Sequence, residues 1–200
     1  DIASKVRAKH PKLKIGFCTT PGVSEWQCKE VYLQDNRLWN NTFLDHNVTM
    51  VYNNLYSTMH NCRAEMDTMG GMAEGTKAVF FPALTFGFWS EIEYKFPPED
   101  SRHIIYEAVT SGAKGYWVFP GFVGGNGWHY AEMALANRVI AENEETLLDG
   151  RRADGLVKKT NARRADGGAV DIRPKVLVLK NKAVVYLAEY SGKEISGEAV

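Results

Sequence analysis

Four short apolar runs recur along the first three quarters of the chain, and each ends in small or polar residues. Because each run is nearly continuous in apolar residues, it is typical of a strand buried on both faces of a parallel sheet. The runs start about 31 to 36 residues apart, close to the ~30 residues of a βαβ unit. The predicted strands lie within residues 12–20, 46–54, 77–88 and 113–119.

Stretches with helical patterning flank these runs. Ser24 and Gln27 form a capping-box pattern at the start of the second stretch. Stop signals follow the others, among them Gly70-Gly71 after the third and Gly112 after the fourth. Alternating helices and strands predict a parallel sheet with right-handed crossovers. The predicted helices are residues 2–9, 24–38, 58–69, 99–111 and 128–148.

The patterning changes after Gly150. Residues 151–169 are charged and lack periodicity, which indicates a linker, and residues 174–192 read as two strands around a turn at Asn181-Lys182. We therefore predict an α/β fold of parallel βα units, half or part of a TIM-type barrel, with a small C-terminal antiparallel β module. The predicted domains are a βα-repeat domain at 1–150, a linker at 151–169 and the β module at 170–200.

Composition narrows the classes of partner. The 200 residues include 24 basic and 24 acidic side chains, and this balance disfavours a nucleic-acid partner. No run approaches the roughly 18 apolar residues of a membrane span. We expect no metal and no cofactor, since neither the three cysteines nor the five histidines have ligand spacing. We expect Cys18, Cys28 and Cys62 to be buried apolar filler.

Two Asn-x-Thr tripeptides begin at Asn40 and Asn47. They permit secretion through a glycosylating route, although such tripeptides are also common by chance. We expect a secreted or extracytoplasmic protein on this ground.

The loops after the predicted strands are the place to look for chemistry, because ligands gather at the carboxyl ends of parallel strands. These loops combine aromatic rings, which pack on the C–H faces of sugars, with amide and imidazole groups that bond to sugar hydroxyls. The alternative is that about half of the aromatics belong to the core. The candidate substrate-binding residues are Tyr52, Asn53, Trp89, Trp117, Asn126, Trp128 and His129.

Glu91 and Glu93 follow the third predicted strand. Cleavage of a glycosidic bond commonly uses two carboxyl groups, one as general acid and one as nucleophile or base. These two glutamates are therefore the candidate catalytic residues. The alternative for each is a solvated loop carboxylate.

Several phrases carry a family resemblance. "VRAKHPKLKIGF", "DHNVTMVYNN", "FFPALTFGFW" and "AVTSGAKGYWVFPG" resemble the fifth to eighth strand units of a (β/α)8-barrel glycoside hydrolase, and "NGWHYAEMALANRVIAENEETLLDG" resembles its closing helix. The terminal hairpin resembles the β module that often follows such barrels. The resemblance implies that Glu91 matches the seventh-strand nucleophile and that a fourth-strand acid/base would precede Asp1.

The resemblance also implies a missing barrel half, supplied by the same or a second chain, since a barrel needs eight strands. Two other functions stay open at this point. One is a non-catalytic module that binds glycans through the same loops. The other is a flavodoxin-like open α/β domain that binds a small ligand.

Overall fold

The computed structural model describes residues 2–52, 59–85, 97–118, 127–157, 163–164, 167, 170, 172–190 and 195–196. The chain divides into two compact units, Asp1–Ala134 and Leu135–Val200. Among the described helices, none has both the length and the apolarity needed to cross a membrane.

The first unit alternates helices and strands, as the hydrophobic pattern predicts. Its helices are α1 (Ile2–Lys9), α2 (Asn36–Thr42), α3 (Met59–Ala73), α4 (Pro98–Thr110) and the first part of α5 (Gly127–Glu142). Its strands are β1 (Gly16–Thr19), β2 (His46–Val51), β3 (Val79–Phe80), β4 (Ala83–Leu84) and β5 (Trp117–Val118).

All described strand pairs in this unit are parallel, so the predicted sheet of βα units is confirmed. The strand order is β1-β2-β4-β5, and β3 also pairs with β2. The third predicted strand is split into β3 and β4 because Pro82 has no N–H to donate to the ladder. The two pieces keep one register, with Asn47 opposite Phe80 and Met50 opposite Ala83.

This strand order runs in one direction without a reversal. Right-handed crossovers then place the connecting helices on one side of the sheet, whereas a doubly wound sheet reverses its order to place helices on both sides. Burial agrees with this: Asn47, Thr49 and Val51 of β2 are buried, and the alternate residues His46, Val48 and Met50 are only half-buried. The described sheet therefore resembles a barrel segment more closely than a flavodoxin-like sheet.

The predicted helix over 24–38 is wrong in its extent. Ser24 caps as expected, since its Oγ accepts from the Gln27 N–H at 3.2 Å. A single π-helical turn follows at Gln27–Val31, and the chain then breaks at Leu33, whose φ is 57°. Helix α2 starts only after Asp35, whose carboxylate accepts from the Leu38 N–H at 3.0 Å. Two polar caps, Ser24 and Asp35, therefore compete within one stretch that looks continuous in sequence.

The predicted stop at Gly70-Gly71 is also wrong, because α3 continues through both glycines to Ala73. A Cβ at Gly70 would lie 2.0 Å from the carbonyl oxygen of Ser111, just after the end of α4. Gly70 therefore permits close approach of α4 rather than ending α3. The glycine with left-handed geometry after α3 is Gly75, whose φ is 71°.

The second unit contains the predicted antiparallel hairpin. Strands β8 (Lys175–Leu179) and β9 (Lys182–Tyr186) pair from Lys175 opposite Tyr186 to Leu179 opposite Lys182. The turn is Lys180-Asn181, one residue before its predicted place, and the φ of Lys180 is 54°. Before it come α6 (Glu144–Asp149), β6 (Arg151–Arg152) and β7 (Arg163–Arg164), and after it comes β10 (Ile195–Ser196).

Strand β6 is an edge of the hairpin sheet, with Arg151 opposite Val178 and Arg152 opposite Leu177. These two arginines open the stretch interpreted as a linker. Strands β7 and β10 form a separate antiparallel pair. The single helix predicted over 128–148 is interrupted at Asn143, between α5 and α6.

Candidate functional site

The sheet of the first unit has one face that its own helices leave partly open. Residues in register on neighbouring parallel strands place their side chains on the same face. Met50, Ala83 and Trp117 are in register, so their side chains form one row on the face opposite Asn47 and Thr49. Val48 lies on this face too, in register with Cys18 of β1. We call this surface the open face.

Trp117 is the most exposed aromatic residue of the described open face. Its relative exposure is 56%, and it lies on β5, the last strand in the described order, which pairs with β4. Phe81 lies beside it: a Cβ at Gly115 would be only 2.5 Å from the Phe81 ring, so the ring occupies the space above that glycine. Gly115 therefore leaves room for the Phe81 ring, and Trp117, two residues later, adds a second aromatic ring to the same face.

Tyr52 follows the last residue of β2 and is half-buried. Burial raises the pKa of its hydroxyl, and the nearby Cys18 adds to the rise as a potential negative charge. Partial burial likewise raises the pKa of the Cys18 thiol. Both groups are thus neutral near pH 7, and the strand ends offer hydroxyl and thiol groups rather than charges.

Cys18 is exposed, so its predicted role as buried filler is wrong. Cys28 and Cys62 are buried, as predicted, and all three thiols are free. The Cys28 thiol lies 3.8 Å from the sulfur of Met69, and its pKa is raised by burial. Among the described residues, no group of three or more histidine, cysteine or acidic side chains could hold a metal ion.

Trp128 and His129 begin α5 but do not share a surface. Trp128 is 73% exposed, whereas His129 is 5% exposed. Successive residues of a helix point about 100° apart, so one side chain faces solvent while its neighbour faces the interior. The structure therefore separates two residues that the sequence placed together in a substrate loop.

The other predicted site residues lie outside the described part of the chain. They are the two catalytic candidates Glu91 and Glu93 and the substrate-binding candidates Asn53, Trp89 and Asn126. Their predicted catalytic and substrate-binding roles stay predictions.

A buried polar cluster on the helix side of the sheet was not anticipated. The hydroxyls of Thr19 and Thr49 lie 3.0 and 2.8 Å from the side-chain oxygen of Asn47, and 2.9 Å from each other. Asn47 in turn donates to the side-chain oxygen of Asn40 at 3.0 Å. The sequence signal for this cluster was the presence of Thr19, Asn47 and Thr49 within mainly apolar strands. Because buried polar groups need partners, their presence there predicts contact with one another.

Charged side chains also meet between α3, α4 and α5, again without a sequence signal. The Nε of Arg63 lies 3.9 Å from a Glu107 carboxylate oxygen, and both side chains are buried. Arg102 pairs with Glu132 at 3.2 Å. Burial, and secondly the charge of Arg102, lower the pKa of His103. We interpret these groups as joining the helices, since they lie on the helical layer and not on the open face.

No family model matches this chain, and no curated protein matches it either.

Proposed function

We propose that this protein is carbohydrate-active and forms part of a glycoside hydrolase of the (β/α)8-barrel type. The observation that carries the proposal is a singly wound parallel sheet whose open face holds an exposed tryptophan, Trp117, on the last strand of the described order. Stacking of an aromatic ring on a sugar uses such an exposed ring, and the interior of a barrel is formed by such a face.

The proposed chemistry rests on Glu91 and Glu93. One carboxyl group protonates the leaving oxygen while the second acts as nucleophile or as base toward water. Glu91, nearer to the third strand, takes the nucleophile role that the family resemblance implies. Tyr52, Asn53, Trp89, Trp117, Asn126 and Trp128 remain the proposed sugar contacts, whereas His129 is too buried to be one of them.

The proposed partner is a second set of strands that closes the barrel, in the same or another polypeptide. The number of described helices favours such a set over a second copy of this chain. Four strand positions are accompanied by five helices, α1 to α5. Two copies would bring ten helices to eight strands, whereas a barrel holds eight of each. The complement that fits has four strands joined by three helices.

Hydrolysis of a panel of chromogenic and natural glycosides tests the enzyme proposal. In Glu91→Gln we expect hydrolysis to be lost with sugar binding retained, because no covalent intermediate forms without the nucleophilic carboxylate. Glu93→Gln, assayed alongside, assigns the second role. Glu74→Gln is the matched control, because Glu74 is exposed and precedes β3, at the amino end of the sheet. Unchanged hydrolysis in Glu91→Gln removes that residue from the mechanism.

The second candidate function, a glycan-binding module without hydrolysis, is favoured by the same exposed Trp117. It predicts that the protein binds oligosaccharides in calorimetry but cleaves none of the panel. Trp117→Ala should then weaken binding by about 5- to 150-fold, if the ring contributes about 1–3 kcal/mol, as aromatic side chains do when nucleobases stack on them. Binding that is unaffected by this substitution removes the open face from either function.

A further inference from the structure

Both Asn-x-Thr tripeptides of the chain lie inside the folded first unit. Asn40 is in α2 and Asn47 is in β2, and the side chains of both are fully buried, with 0% exposure. A glycan acceptor in a folded glycoprotein lies on the surface, because the attached sugar is bulky and hydrated. Neither asparagine is therefore an accessible glycan acceptor in the folded protein.

The amide nitrogens that would carry the sugars already have structural roles. The Nδ2 of Asn40 donates to the carbonyl oxygen of Met72 in α3 at 3.1 Å. The Nδ2 of Asn47 donates to the side-chain oxygen of Asn40 at 3.0 Å. The two asparagines thus link α2, α3 and β2 through one chain of hydrogen bonds.

The threonine of the second tripeptide is also part of this chain. Thr49 donates to the side-chain oxygen of Asn47 at 2.8 Å and lies 2.9 Å from Thr19. Asparagine and threonine in this tripeptide are therefore explained by packing alone. Their spacing follows from strand geometry, since residues i and i+2 share a face.

Glycan transfer would destroy this arrangement. The asparagine Nδ2 forms a bond to C1 of the sugar and loses one proton, while the C–O bond to a lipid-linked pyrophosphate donor breaks and the pyrophosphate leaves. The product places a sugar ring where the structure has the backbone of Met72 or the side chain of Asn40. No rotamer change relieves this, because the surrounding interior is close-packed.

We propose that this protein folds only where the machinery for asparagine-linked glycosylation is absent. Both tripeptides are accessible in the unfolded chain, and a glycan added there prevents β2 from packing against α2 and α3. An extracytoplasmic location is then reached by a route without such transfer. The inference rests on burial and hydrogen bonds alone and does not depend on the proposed carbohydrate activity.

Expression of the full chain with a secretory leader in a glycosylating eukaryotic host tests the proposal, with cytosolic expression as the reference for folded yield. We expect glycans at Asn40 or Asn47 only in the retained, insoluble fraction. Tunicamycin, which blocks synthesis of the lipid-linked donor, should raise the soluble yield several-fold with the sequence unchanged.

A matched pair of variants separates glycan transfer from other effects of the host. Thr42→Ala removes the first acceptor tripeptide and Thr42→Ser keeps it, and Thr42 is exposed on α2. We expect a glycan at Asn40 in Thr42→Ser and none in Thr42→Ala. A soluble, folded protein with a glycan on either asparagine would overturn the proposal. So would a soluble yield, high or low, that tunicamycin leaves unchanged.

Discussion

Two adjacent glycines of α3 should respond in opposite directions to the same substitution. In Gly70→Ala the new Cβ would lie 2.0 Å from the carbonyl oxygen of Ser111 and 3.1 Å from its carbonyl carbon. In Gly71→Ala the new Cβ meets no atom within 4 Å. Because both residues lie in one helix, the two variants share the same change in helix propensity and differ in packing.

The magnitude follows from these distances. Real Cβ contacts essentially never fall below 3.0 Å, so Ser111 must retreat by at least 1 Å in Gly70→Ala. Its hydroxyl donates to Asp67 at 3.0 Å, and this bond would be strained as well. Overpacking of this kind costs about 1–3 kcal/mol, and the gain in helix propensity offsets about 1 kcal/mol of it. Gly71→Ala keeps only the gain, about 0.5–1 kcal/mol.

Urea unfolding followed by circular dichroism at 222 nm measures both changes. We expect a lower unfolding midpoint in Gly70→Ala and a higher one in Gly71→Ala, with unchanged slopes. The reasoning is refuted if Gly70→Ala is as stable as Gly71→Ala, since the close approach of α4 to α3 would then not exist.

Two further predictions concern charged groups of α3. Burial raises the pKa of Glu65 to about 7 from 4.5, so the folded state holds a proton that the unfolded chain loses, and stability should fall as pH rises from about 4.5 past 7. Relative to the wild type, Glu65→Gln should therefore gain on the order of 2 kcal/mol in free energy of unfolding as the pH is raised from 5 to 8. A difference in urea midpoint between variant and wild type that is the same at pH 5 and pH 8 would contradict this. Removing one partner of the buried Arg63–Glu107 pair, by Arg63→Met or Glu107→Gln, should cost about 3 kcal/mol. The double variant should cost less than the sum of the two, and strict additivity in denaturant titrations would show that the pair is not coupled.

Much of the fold could be predicted because its signals are local. Apolar runs mark β1, β2 and β5 near their observed places, and Gly112, whose φ is 94°, ends α4 as expected. The hairpin of β8 and β9 was predicted from its dense valines and its polar turn. In each case the residues that decide the conformation are neighbours in sequence.

The errors arise where distant residues decide. Gly70 reads as a helix stop, but α4 approaches α3 there and makes a side chain impossible. The break at Leu33 comes from competing caps on either side of it, Ser24 before and Asp35 after. The hydrophobic pattern alone does not show which of these start and stop signals decides where a helix begins or ends.

The placement of candidate site residues on the fold could be predicted only in part. Trp117 lies in β5 and Tyr52 follows the end of β2, as the apolar runs indicated. His129 and Trp128 were predicted as one group, but a helix turns adjacent side chains away from each other. The polar cluster of Thr19, Asn47 and Thr49 was missed because its members come from two strands.

The sequence by itself determined the kind of sheet, because continuous apolar runs at regular spacing, alternating with helical stretches, are typical of parallel βα units. Tertiary structure alone decided which residues on those elements are accessible. Asn40 and Asn47 form acceptor tripeptides in the unfolded chain, yet folding encloses both of their amides. The reason is that accessibility depends on what packs above a residue, and for Asn40 that neighbour is Met72 of α3, 32 residues away along the chain.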